Sequence, residues 1–161
     1  MNCLSWEREI DNSPDHRLLE DPAALIVRMV PWARAKHVRG SPGTFGFTFF
    51  PNDGRFATVA DVFGYDTEEL ANTRGVPVPI LLGYVVANEL GHLLLGPASH
   101  GIIGIMQCPW RPEEMKNIAR GFMMFTPEEA EKMRRNIQTR VNKETSSLFM
   151  PQRFCRTACN P

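Results

Sequence analysis

Apolar residues of this chain form several short runs separated by turn-forming residues, with one longer run near the middle. The runs over 23–30, 44–50 and 56–63 are rich in β-branched or aromatic residues, which predicts core strands. A turn signal at 51–54 separates the last two, so we expect these strands to pair antiparallel. The phenylalanines of the second run either fill the core or form the wall of a cleft.

The longest apolar run predicts a helix over about 79–95, which a glycine-proline pair ends. Apolar positions nearly surround this helix, so we expect it to be central and buried. A short helix is expected over 66–71, capped by its first residue. A further helix is expected from 126 to about 141, because Thr126 and Glu129 form a capping-box pattern at its start.

Together these elements predict one α+β domain over 1–161. A small twisted sheet, mostly antiparallel or mixed, would pack on the central helix, and the C-terminal helix would pack behind it. We expect residues 1–20 to be an extended lead-in and residues 143–161 to be a polar tail. Neither repeats nor a composition shift indicate a second domain.

Composition narrows the classes of partner. The 161 residues are 43% hydrophobic and 22% charged, as in an ordinary globular protein, and 18 basic residues balance 18 acidic ones. This balance gives no electrostatic footprint for nucleic acid or for an anionic membrane. No basic segment followed by an apolar run begins the chain, so we expect no secretory signal peptide. Compartment and oligomeric state are otherwise open.

The four cysteines are too few and too scattered for a disulfide framework; they are Cys3, Cys108, Cys155 and Cys159. The last two are four residues apart near the C-terminus. They could form a local disulfide, bind a metal weakly or stay unpaired, and the sequence leaves these three alternatives open.

Candidate chemistry lies at the C-terminal end of the long apolar helix, where the frame reads N-E-x-x-H. Asn88 and His92 are four residues apart and therefore project from one face, with Glu89 beside them. These polar residues also argue against a membrane-spanning helix. Gly96 is a hinge at which the chain can leave the helix and turn back, bringing His100 to the same point.

Each of these residues has an ordinary structural interpretation when it is taken alone. His92 would be a core histidine, Glu89 the partner of a basic residue, and His100 a loop residue. Their combination is harder to explain, because a glutamate on an apolar helix is costly without a partner or a task. Two histidines, a further ligand and an open position for water form the usual catalytic zinc site.

In such a site the metal lowers the pKa of its water to about 7 and polarises a substrate carbonyl. A neighbouring carboxylate takes the proton of the water and delivers it to the leaving amine. This chemistry would make Glu89 the general base and His92 and His100 the zinc ligands. A peptide or protein would then be the substrate.

The residues from Glu89 to His100, followed by Gly104-Ile105-Met106, resemble the metzincin group of zincin metallopeptidases. The string is most similar to a bacterial subgroup of uncharacterised peptidases with H-E-[IL]-G-H-L-L-L-G-x-x-S-H-S-x-x-G-I-M. The resemblance covers well over half the chain. It implies a zincin fold, with His92 and His100 as zinc ligands, Glu89 as general base and Met106 as the methionine turn under the metal.

The sequence departs from the metzincin pattern at three places. Asn88 stands at the position of the first histidine ligand, and an amide oxygen suits calcium better than zinc. Three residues instead of two separate His92 from Gly96, and three separate Gly96 from His100. Gly101 follows in place of a serine. His16, His37 or a carboxylate could complete the ligand set.

Two functions follow from this interpretation. The first is a zinc-dependent peptidase whose metal binding is impaired by Asn88. The second is a catalytically inactive descendant that keeps the fold and binds a peptide or protein partner. A zincin of the regulatory kind that cleaves a repressor fits less well, because a Gly-Ile-Met turn follows His100.

Overall fold

The computed structural model describes residues 24–31, 44–51, 56–143 and 154–157. Within them four strands and four helices follow one another in this order: β1 (Ile26–Met29), β2 (Gly46–Pro51), β3 (Val59–Val62), α1 (Gly64–Arg74), α2 (Val78–Leu95), α3 (Pro112–Ala119), α4 (Pro127–Lys143) and β4 (Phe154–Thr157). This arrangement confirms the predicted α+β class. The predicted lead-in lies outside the described residues.

The sheet is mixed, with the strand order β1-β3-β2-β4. β1 and β3 run parallel, while β2 runs antiparallel to both of its neighbours, β3 and β4. The antiparallel pairing of the second and third predicted strands is therefore confirmed, with Thr48 opposite Ala60. β4 lies inside the segment 143–161 that was expected to be a polar tail.

Side chains of β2 alternate between two buried faces, as the period of two along a strand requires. Phe47 and Phe49 pack with Phe63 on one face, and the rings of Phe47 and Phe63 meet edge to face. Thr48 and Phe50 point towards α2 on the other face. The phenylalanines of this strand are therefore core residues.

The helix α2 lies at the centre of the domain. It contacts β1, β2 and β3 on one side and packs against α1, α3 and α4 on the others. By length and composition alone it could cross a membrane. The neighbours that surround it are those of a core helix in a globular domain, which agrees with the expectation of no membrane span.

The ends of α2 are set by local sequence. Pro79 lies in its first turn, where a missing N–H costs nothing. At the other end Gly96 adopts a φ of 95° and its N–H bonds the carbonyl of His92. The predicted range of 79–95 is confirmed to within one residue. The preceding helix, α1, begins at Gly64, so Asp66 lies in its first turn and is not the predicted cap.

Two surface helices complete the domain. α3 was not predicted, although Pro112 and the acidic residues after it are helix-start signals. It buries Met115 and Ile118. α4 begins with the predicted capping box, in which Thr126 and Glu129 bond each other's backbone N–H groups at 3.2 and 2.8 Å.

Side chains of α4 hold the C-terminal end of α2. Asn136 donates a hydrogen bond to the carbonyl of Leu94 at 2.6 Å, and Arg140 donates to the carbonyl of Leu93. These carbonyls belong to the last turn of α2, where no helical N–H follows to satisfy them. Arg140 is buried, and its guanidinium also lies over the ring of Phe56. The C-terminal helix therefore fixes the end of the central one.

We expect Arg140→Met to lower the free energy of unfolding by about 2 kcal/mol. The substitution removes the charged donor that bonds the buried carbonyl of Leu93. Urea unfolding at neutral pH measures this change. Arg135→Met is the matched control, since Arg135 forms an exposed ion pair with Glu131 and should change stability by less than about 0.5 kcal/mol. Equal effects of the two substitutions would contradict this role of Arg140.

Candidate metal centre

Two histidines meet at the C-terminal end of α2. The ring centroids of His92 and His100 are 4.7 Å apart, and the rings are nearly perpendicular. His92 is 0% exposed, and its Nδ1 lies 2.9 Å from the hydroxyl oxygen of Ser99. Its Nε2 is buried and has no hydrogen-bond partner among the described residues. The predicted pair of imidazoles is thus brought together, and one buried nitrogen is left for a ligand.

The turn after α2 bends the chain back so that His100 reaches His92. It contains two residues with positive φ, Gly96 at 95° and Ala98 at 57°. Gly101 then donates its N–H to the carbonyl of Met106 at 2.8 Å. The predicted hinge at Gly96 is therefore present, and the loop returns under the helix as expected.

Asn88 is buried and performs a structural task. Its amide nitrogen donates a hydrogen bond to the carbonyl of Ile105 at 2.9 Å and lies 4.0 Å from the sulfur of Met106. The amide therefore ties the loop that carries Met106 to α2. Asn88 and Met106 are therefore in contact.

The contact between α2 and Met106 depends on a glycine. A Cβ at Gly91 would overlap the sulfur of Met106 and would also press on Phe125 at 3.1 Å. Met106 is fully buried and packs with Leu95 and Met133. Gly91, one residue before the first histidine of the pair, therefore allows the loop to lie directly against the helix.

Glu89 faces the sheet. One carboxylate oxygen accepts a hydrogen bond from the hydroxyl of Thr48 at 2.9 Å. The backbone of β2 comes so close that a Cβ at Gly46 would lie 2.6 Å from the other carboxylate oxygen. Burial raises the pKa of Glu89 from 4.5 to about 8, and the negative charge of Asp61 adds to the rise, while the Thr48 bond opposes it.

A small cavity adjoins the Glu89 and Asn88 side chains. Its volume of about 20 Å³ is enough for about one water molecule. Most of its wall is apolar and includes Phe45, Leu70 and Val85. Trp110 also lines it, and the buried indole N–H of Trp110 has no partner in the described part of the chain. Asn88, Glu89 and Trp110 are the residues of this lining that carry polar side-chain groups.

Both imidazoles are neutral at physiological pH. Burial lowers the pKa of His92 from 6.5 to about 4, and the neighbouring His100 adds to this effect. Partial burial also lowers the pKa of His100. A neutral imidazole carries a lone pair on one nitrogen, which is the form that binds a metal.

The structure brings the predicted residues together in two contacts, His92 with His100 and Asn88 with Met106. In the described ranges no group of three or more histidine, cysteine, aspartate or glutamate side chains could hold a metal ion. His16 and His37, which were named as substitute ligands, lie outside the described residues. Zinc therefore stays a prediction at this point.

Of the four cysteine side chains, the described residues include that of Cys108. Cys108 is disulfide-bonded. It lies two positions after Met106. The side chains of Cys155 and Cys159 lie outside the described part, so the three alternatives for them stay as they were.

Comparisons with protein-family models, with curated proteins and with solved structures found no match to this chain. The likeness to metzincins consequently depends on the motif residues themselves. The membership of that group stays a prediction.

Sequence reasoning missed the residues that surround the motif, namely Gly46, Thr48, Gly91, Ser99 and Trp110. Thr48 and Gly46 come from a strand about forty positions earlier, and no local pattern marks them as neighbours of Glu89. Ser99 lies inside the motif and could have been considered, because a hydroxyl next to a histidine ligand is a natural partner for the second ring nitrogen.

Gly91→Ala should lower the free energy of unfolding by about 1–3 kcal/mol, because the added methyl group forces Met106 out of its packed position. Gly83→Ala in the same helix is the matched control. A Cβ there meets no atom within 4 Å, so the substitution should raise stability by about 0.5–1 kcal/mol. Thermal or urea unfolding measures both, and a stabilised Gly91→Ala protein would contradict the close contact.

Stability of the metal-free protein should fall between pH 6.5 and 8 by roughly 1–2 kcal/mol. In this window the unfolded chain has lost the proton of Glu89, whereas the folded chain, with a pKa of about 8, still holds it. Between pH 4.5 and 6.5 the lowered pKa of His92 acts in the opposite direction and offsets the fall. Unfolding free energies measured in urea at each pH, with a chelator present, test this profile.

Glu89→Gln should flatten the profile above pH 6.5, because the amide has no proton to lose. Glu131→Gln, a change at an exposed helix position, should leave the slope as it is. A wild-type protein whose stability rises between pH 6.5 and 8 would show that Glu89 is not held in its neutral form.

Proposed function

We propose that this protein is a zincin-type metallopeptidase with weakened metal binding, in which His92 and His100 hold zinc and Glu89 serves as general base. The observation that carries the proposal is the buried Nε2 of His92, which lacks a partner in the described residues and belongs to a ring 4.7 Å from that of His100. A buried polar atom without a partner is costly, and a metal ion would remove this cost.

We assign the roles of such a site to the chain's own residues, although the small cavity beside Glu89 is lined by neither His92 nor His100. Zinc, when bound, would supply Lewis acidity towards a substrate carbonyl and would lower the pKa of a water. Glu89 holds its carboxyl group next to a cavity that fits one water, and Thr48 orients it. With a pKa of about 8 the carboxyl group stays mostly protonated in the metal-free protein at neutral pH, and the positive charge of a bound zinc ion would lower this pKa and free the carboxylate to take a proton.

Asn88 is the reason for weakened binding. Its amide nitrogen is engaged with the carbonyl of Ile105, so this side chain is committed to holding the loop. Two imidazoles are then the only strong ligands that the described residues offer, and a structural or catalytic zinc site has three or four protein ligands. We therefore propose partial zinc occupancy at ordinary concentrations.

A second candidate function, a partner-binding protein without catalysis, is favoured by one surface feature. Two segments beside the site loop lie together through the bond from the Ile105 N–H to the Met124 carbonyl. They expose large apolar side chains: Ile102 is 90% exposed, and Ile103, Phe122 and Met124 are each exposed by more than half. A groove of about 450 Å³ runs beside them. Contiguous exposed apolar surface marks interaction sites.

Zinc content distinguishes the candidates. We expect elemental analysis to find well under one zinc per wild-type chain and close to one per Asn88→His chain. Second-shell partners alone change metal affinity 10- to 100-fold, so restoring a ligand should tighten binding by at least about 100-fold. Asn72→His, at an exposed position of α1, is the matched control and should not gain zinc.

Peptide hydrolysis should depend on bound zinc. We expect the Asn88→His protein to cleave an unstructured peptide, and a chelator should abolish this activity. If Asn88→His binds no more zinc than Asn72→His does, the shared metal site is wrong. If it binds zinc without hydrolysing peptides, the partner-binding function is the better one.

A further inference from the structure

We propose that Ser99 is a positioning residue of this site, whose hydroxyl oxygen accepts a hydrogen bond from the Nδ1–H of His92 and so keeps the lone pair on Nε2. The role in metal binding rests on the proposed function, whereas the tautomer is a property of the metal-free protein. The assignment of the His92 tautomer can therefore be tested without metal, separately from the role of Ser99 in zinc binding.

The geometry restricts the bond to two arrangements. The Nδ1 of His92 and the hydroxyl oxygen of Ser99 are 2.9 Å apart, which is a normal hydrogen-bond length. In a neutral imidazole one nitrogen carries the proton and the other carries a lone pair. Ser99 therefore either accepts from Nδ1–H, which leaves a lone pair on Nε2, or donates to Nδ1, which puts a proton on Nε2.

Burial of His92 favours the first arrangement. Nε2 is inaccessible to water and has no partner among the residues that the structure describes. A proton on it would be a buried donor without an acceptor, and such donors are rarer in proteins than acceptors without a donor. Ser99 is only partly buried, so water can accept its own hydroxyl proton.

The backbone before Ser99 gives a second and independent observation. Ala98 has a φ of 57°, in the left-handed region that residues with a Cβ seldom adopt. Such a conformation persists only when its surroundings hold it. Ala98 turns the chain so that Ser99 faces His92 and the next residue, His100, packs against the same ring. One turn thus delivers both the partner of Nδ1 and the neighbouring imidazole.

The two arrangements correspond to different chemistries. When Ser99 accepts, it fixes the ring orientation and leaves Nε2 for a metal ion, as second-shell partners of histidine ligands do. When Ser99 donates, the pair is a hydroxyl beside a general base, which is the arrangement of a nucleophilic serine. The tautomer of His92 therefore decides between a positioning role and a nucleophilic role.

Nitrogen-15 NMR of the metal-free protein with labelled histidine measures the tautomer directly. The His92 signals are assigned by their loss in His92→Asn. We expect wild-type His92 to be protonated at Nδ1 and unprotonated at Nε2. Ser99→Thr should keep this pattern because it keeps the hydroxyl, and Ser99→Ala should shift His92 towards the Nε2–H form or a mixture. Thr139→Ala, which removes an exposed hydroxyl from α4, should change nothing.

A wild-type His92 protonated at Nε2 would overturn the proposal, and this result does not depend on whether any variant folds. Zinc titration supplies the second readout. Ser99→Ala should weaken zinc binding about 10- to 100-fold, and Ser99→Thr should restore it. Unchanged affinity in Ser99→Ala would overturn the positioning role. If the wild-type protein binds no zinc while His92 shows the expected tautomer, the proposed function fails and the assignment of the hydrogen bond stands.

Discussion

The central constraint on this fold is that α2 must be surrounded by other elements and yet carries three polar side chains in its second half. Asn88, Glu89 and His92 are all less than 5% exposed. Neighbouring segments have to supply partners for them, since a buried polar group without a partner is costly. β2 supplies Thr48 to Glu89, and the loops after α2 supply a carbonyl to Asn88 and Ser99 to His92. The arrangement of the domain around its core helix follows from these three requirements.

The same helix demands close packing as well as polar partners. Among the glycines that the structure describes, Gly46 and Gly91 are the two at which a neighbouring segment comes nearer to α2 or its side chains than a Cβ would allow. The first lets a strand approach Glu89, and the second lets Met106 lie against the helix. Asn136 and Arg140 then fix the end of α2 from which the turn to His100 departs. Several elements far apart in sequence thus determine where the histidine pair lies.

Features that depend on neighbouring positions could be predicted from the sequence. The limits of α2, the stop at Gly96 and the capping box at Thr126 follow from local rules on glycine, proline and capping side chains. The pairing of β2 with β3 followed from the turn between them. The approach of His100 to His92 followed from a helical turn and a hinge.

Features that depend on long-range contacts could not be predicted in this way. The bond from Thr48 to Glu89 joins residues 41 positions apart, and β4 pairs with β2 from the far end of the chain. Asn88 was interpreted as a degenerate first-ligand position, and its bond to Ile105 was not foreseen, because that bond depends on a loop conformation that the sequence pattern does not show. The burial of side chains along α4 likewise depends on distant contacts: Ile137 and Val141 are nearly half exposed, whereas Arg140 is buried.

The bridge from Asn88 to the Ile105 carbonyl has a consequence for the timing of metal exchange. An amide neither gains nor loses a proton in the physiological range, so this bridge does not depend on pH. The loop that carries Met106 is thus preorganised, and little reorganisation would accompany the arrival or departure of an ion at the proposed site. Ion exchange at the proposed site would then be limited by access to the buried Nε2 of His92 and not by movement of this loop.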